Sequence, residues 1–107
     1  MLKNIEKSKV LPLKEELEYC EGQVISKTLA QNEALSVTLF SFWKGEEIST
    51  HASGGDAMVT CLDGVGRIII DGEPHLLHEG DAIVMPAGHP HAVQGVENFK
   101  MLLVVAF

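Results

Sequence analysis

The chain has 107 residues, 46% of them hydrophobic and 21% charged, which suits one domain with one core and excludes a fibrous or disordered composition. Eight basic against fifteen acidic side chains leave a net charge of -7, which repels phosphate backbones and anionic lipid surfaces and argues against nucleic-acid binding. The longest apolar run, Met101 to Phe107, falls far short of the roughly 20 residues that a spanning helix needs, so no membrane partner is expected.

Residues 1–7 show no apolar stretch after a basic region, and the expected location is therefore cytoplasmic. Residues 13–19, after Pro12, can form a short helical stretch, too short and too acidic to be stable alone. Helical periodicity then gives way to short runs rich in valine, isoleucine, leucine, phenylalanine and threonine, most of them closed by glycine, proline or aspartate. They cover 23–30, 35–43, 56–62, 66–70, 73–78, 82–85, 91–96 and 99–106, and closely spaced strands of this kind predict an all-β sandwich or barrel. Asp71-Gly72 suits a tight hairpin between two of them, and Pro86-Ala87-Gly88-His89-Pro90 turns the chain into the strand that starts at His91. Two cysteines, Cys20 and Cys61, are too few for a disulfide framework and lack C-x-x-C spacing, so both are expected as thiols.

Two glycine-and-histidine blocks stand out: Gly45-x5-His51-x-Ser53-x3-Ala57-x6-Gly64 and Gly80-x5-Pro86-x-Gly88-x2-His91-x3-Gly95. They resemble the signature motifs of the cupin family, G-x5-H-x-H-x3-E-x6-G and G-x5-P-x-G-x2-H-x3-N. The segment from His51 to Ala57, an H-x-S-x2-D-A string, is similar to that of small single-domain bacterial cupins. The resemblance covers about residues 35 to 106 and implies a cupin jelly-roll β-barrel, a double-stranded β-helix, as the fold. It divides the chain into an N-terminal segment with edge strand, 1–34, and a barrel, 35–107, within one compact domain. Related cupins often dimerise by adding such a strand to a neighbour's sheet, so a homodimer is expected.

In metal-bearing relatives the first-block histidines and glutamate and the second-block histidine hold the metal, and here that match delivers only His51 and His91. Ser53, a weak ligand, and Ala57, none at all, take the other places. The expected pocket is bordered by His51, Ser53, Ala57 and His91, with Cys61 on the same strand face as Ala57 and His89 in the turn at the barrel mouth. Asp56 stands next to the missing glutamate: alternation turns it outward with Met58 and Thr60 when Ala57 faces inward, while Gly54-Gly55 can relax that register and leaves Asp56 open as a ligand. Trp43, Phe40, Phe42, Met58, Met85 and Met101 flank the motif strands and offer apolar walls. His75 and His78 read as a packed and a solvated side chain. The pattern points to a module that binds a small molecule. Its histidines line the cavity or hold a divalent metal (zinc, nickel, iron, copper or manganese) at low affinity. The alternative is a metal-dependent enzyme of dioxygenase or isomerase type with a two-histidine site.

Overall fold

Nine short strands account for most of the chain in the computed structural model, which describes all residues from Met1 to Phe107. In chain order they are β1 (Val24–Gln31), β2 (Leu35–Phe42), β3 (Glu47–His51), β4 (Asp56–Asp63), β5 (Val65–Ile70), β6 (Glu73–His78), β7 (Ala82–Met85), β8 (His91–Gly95) and β9 (Phe99–Ala106). Two antiparallel sheets result, one in the order β1-β2-β9-β4-β7 and the other β3-β8-β5-β6. Their facing surfaces make the jelly-roll barrel. No helix is long and apolar enough to cross a membrane.

Alternation along each strand decides which side chains enter the barrel. On β4, Ala57, Val59 and Cys61 are buried while Asp56 and Met58 are exposed. β9 meets β4 and β2 in register, so Met101 and Val105 face inward beside Cys61 and Ala57. Phe42 and Phe99, both fully buried, anchor this core with ring centroids 5.5 Å apart. Asp71 and Gly72, at φ 52° and 80°, form the tight turn between β5 and β6. Two successive residues at positive φ give that turn the twist the flanking strands require.

The strand β3 has no counterpart among the sequence expectations. Glu47-Ile48-Ser49-Thr50-His51 is polar at four of its five positions and exposed at the same four, so its apolar signal is a single isoleucine. The helical stretch expected over 13–19 shrinks to one 3-10 turn, Leu13–Glu15, whose N-cap Pro12 offers no side-chain bond. The N-terminal segment is instead held by the barrel. Tyr19 Oη donates to Asp63 at 2.7 Å, Ser41 Oγ donates to the Glu18 carbonyl at 2.8 Å, and Lys100 Nζ lies 4.6 Å from the Tyr19 ring centre. At the free edge of β1, Lys3 N–H donates to the Leu29 carbonyl at 2.7 Å and the Asn4 amide donates to the Thr28 carbonyl at 2.8 Å.

Candidate functional site

Between the sheets lies a cavity of about 290 Å³, and eight of its eleven lining residues are hydrophobic. Phe40, Ile48, Met85, Met101 and Leu103 supply much of the wall, and the polar groups are His51, Ser53 and His91. Ala57 lines it too, its methyl group leaving space where a longer side chain would project. Of the expected apolar wall, Phe40, Met85 and Met101 face the cavity, while Met58 points out of the sheet, 43% exposed, opposite Val84. Ile48, Val93, Leu103 and Val105 complete the lining without having been singled out. Period-two alternation from His91 and Met101 would have found three of them, whereas Ile48 belongs to the unforeseen strand.

The last residue of β3 and the first of β8 are register partners, which brings His51 and His91 side by side although 40 positions separate them. Their Nε2 atoms stand 3.2 Å apart and the rings meet edge to face, with centroids separated by 4.4 Å. His51 Nδ1 is 3.0 Å from the Ser49 carbonyl oxygen, and His91 Nδ1 is 3.2 Å from that of His89. Two neutral imidazoles carry two ring hydrogens for these three contacts, and placing both on Nδ1 serves the two carbonyl oxygens, which only accept. With that placement both Nε2 atoms are bare acceptors. His91 is buried, 2% exposed. Burial holds its pKa below the usual histidine value and the neighbouring charge of His51 lowers it further, against the opposing bond to the His89 carbonyl.

The remaining expected site residues fall into distinct places. Ser53 lines the cavity, but its Oγ donates to the Gly55 carbonyl and accepts from the Gly55 N–H, both at 3.1 Å. That small turn needs glycine, because a β-carbon at Gly55 would stand 2.4 Å from the Ala106 carbonyl oxygen. Asp56 turns outward and its carboxylate accepts from the Ala87 N–H at 2.8 Å, fixing the turn before β8. Cys61 faces inward yet does not line the cavity: its Sγ lies against the Asp63 and Gly64 carbonyls at 3.5 and 3.6 Å. Burial is the main cause that pushes its thiol up to about 11, so it is not a thiolate at neutral pH. His89 also stands outside the lining, its Nδ1 donating to Asp71 at 2.7 Å, and its contribution to the cavity is the carbonyl that orients His91. His75 and His78 lie on β6, away from the pair.

Whether this donor set suits a resident metal can be judged from its geometry. A tetrahedral ion bonded to imidazole at about 2.0–2.1 Å spreads two such nitrogens by about 3.3 Å, close to the spacing of His51 and His91. Resident sites, however, use three or four protein ligands. No group of three histidine, cysteine, aspartate or glutamate side chains converges anywhere in the molecule. The residues present therefore make half of a metal site.

Comparison with known proteins matches this architecture. The model of the family described as "Cupin domain" matches residues 38–107. A conserved protein of unknown function from Streptococcus pyogenes has a solved structure similar to this chain at 51% identity and TM-score 0.96, covering 98% of this chain and 92% of that one. A cupin superfamily protein from Desulfitobacterium hafniense is 36% identical with TM-score 0.95, covering 100% of this chain and 98% of that one. The DMSP lyase DddQ from Ruegeria pomeroyi, 21% identical with TM-score 0.70 over 78% of this chain and 47% of its own, shares the fold alone. No match was found among curated protein sequences. With its two motif blocks, jelly-roll barrel and family match in agreement, the chain belongs to the cupin domain family.

Proposed function

We propose that the protein is a small-molecule binding module whose ligand occupies the cavity bordered by His51, Ser53, Ala57 and His91. The observation that carries this reading is the pairing of an apolar wall with a single polar pole, the arrangement by which ligand sites combine affinity with orientation. A divalent metal at His51 and His91 belongs to the same reading as a weakly held, exchangeable ion, since two imidazoles alone bind it. Free thiols at Cys20 and Cys61 fit the reducing cytoplasm as its location. The test is a thermal-shift screen of small neutral and acidic compounds against the chain and an Ala57→Phe variant, whose ring fills the cavity. Compounds that stabilise the first and not the second support the module, and a screen in which none discriminates removes it.

The second reading is a metal-dependent cupin enzyme of dioxygenase or isomerase type, favoured by the 3.2 Å spacing of the two Nε2 atoms. Elemental analysis of protein purified without chelator or histidine tag separates the two. Stoichiometric metal supports the enzyme, and its absence supports the module.

A further inference from the structure

Resting on the pocket reading, the hydrogen-bond inventory of the cavity narrows the ligand's chemistry. With the ring hydrogens placed on both Nδ1 atoms, where carbonyls accept them, His51 and His91 turn only acceptors toward the cavity. The Ser53 hydroxyl hydrogen is committed to the Gly55 carbonyl. Arg67, on the strand that pairs with β8, donates to Gln94 at 3.1 Å, and neither lysine nor arginine is in the lining. A carboxylate or a ketone entering this cavity would find no hydrogen to accept. A ligand O–H or N–H would find two lone pairs that oppose each other at 3.2 Å and would relieve that opposition.

Size and wall chemistry limit the rest of the ligand. An apolar cavity of about 150 Å³ accommodates benzene, and this one, at about 290 Å³, is nearly twice as large. Phe40, Met85 and Met101 line it, and thioether sulfur packs favourably against aromatic ring edges. We infer that the cavity takes a compact, neutral, largely apolar compound of about two rings that carries one hydroxyl or N–H donor, and that the donor engages His51 and His91 without a metal.

Three probes of one shape test this on chelator-treated protein at about pH 8: 1-naphthol, 1-methoxynaphthalene and 1-naphthoate. Binding is read by titration calorimetry and located by the methyl resonances of Met85 and Met101. The expected result is that 1-naphthol binds at least tenfold more tightly than 1-methoxynaphthalene, which keeps the rings and loses the donor, and that 1-naphthoate is weakest. His51→Leu, at an exposed position where folding is not at risk, should erase the preference for naphthol while the methoxy compound still binds. Equal affinities for naphthol and its methyl ether, or tightest binding by the naphthoate, overturn the donor inference and leave the pocket reading standing. If no probe shifts either methionine, both fall.

Discussion

Gly66 lies flat beneath the ring of Phe99, so close that a β-carbon on it would stand 2.4 Å from Cζ and 2.6 Å from both Cε atoms. Phe99 is fully buried against Phe42 and has nowhere to retreat. Alanine in place of a strand glycine ordinarily stabilises by up to about 1 kcal/mol through the unfolded chain. Here overpacking outweighs that gain, and Gly66→Ala should lower stability by about 2 kcal/mol in urea unfolding. Gly54→Ala, where the added carbon meets nothing within 4 Å, is the control and should stay within about 0.5 kcal/mol.

The lowered pKa of His91 gives stability a pH signature. Between the unfolded histidine value of about 6.5 and the lower folded value, the unfolded chain binds a proton at this position and the folded chain does not. The contribution is therefore fully present above about pH 6.5 and is lost progressively as pH falls through the folded value. His91→Gln should flatten the difference in unfolding free energy between pH 7.5 and pH 5.5. An unchanged slope would mean that another group carries it.

Half a metal site can be extended from the position that relatives use. Ala57→Glu places a carboxylate at the cavity wall near the two imidazoles and should tighten zinc binding at least tenfold, which requires only about 1.4 kcal/mol. The variant should be less stable without metal because it buries a carboxylate. Ser53→His is the less favourable addition, since it breaks the turn that Ser53 makes with Gly55. Equal zinc affinities in titration calorimetry would show that position 57 does not reach the ion.

Asp56 separates a structural carboxylate from a ligand. Its bond to the Ala87 N–H predicts that Asp56→Ala costs about 1 kcal/mol and leaves zinc affinity unchanged. Loss of zinc binding in this variant would make it a ligand.

We propose a homodimer through the edge of β1, for which the structure leaves a shorter stretch than its eight residues offer. Lys3 and Asn4 already occupy the carbonyls of Leu29 and Thr28, so pairing falls to Val24–Lys27. Sedimentation equilibrium at micromolar concentration should give twice the chain mass, and a clean monomer removes the proposal.

Strand positions with strong alternation were legible before any coordinates. Once the motif resemblance turns Ala57 inward, parity turns Asp56 outward, and the turn at Asp71-Gly72 follows from residue chemistry. Depth along the barrel was not legible, because parity says which face a residue occupies and not which end. Cys61 faces inward like Ala57 but sits against the Asp63 and Gly64 carbonyls, clear of the cavity. The position of His89 depended on a partner in another turn, Asp71, that no spacing within its own strand reveals. β3 was missed because an edge strand with four exposed positions carries almost no apolar period.

The family match begins at residue 38, inside β2, yet the bonds that join Glu18 to Ser41 and Tyr19 to Asp63 tie the preceding segment to the barrel. The evolutionary unit and the folding unit therefore have different ends. A fragment trimmed to the matched residues would begin partway along a ladder and lose the neighbour that pairs with Leu39, a side chain only 1% exposed in the full chain. It would expose a fresh sheet edge of alternating Leu, Phe and Ser, the kind of surface on which chains associate without specificity. What lies outside the family pattern here pairs that edge within the chain.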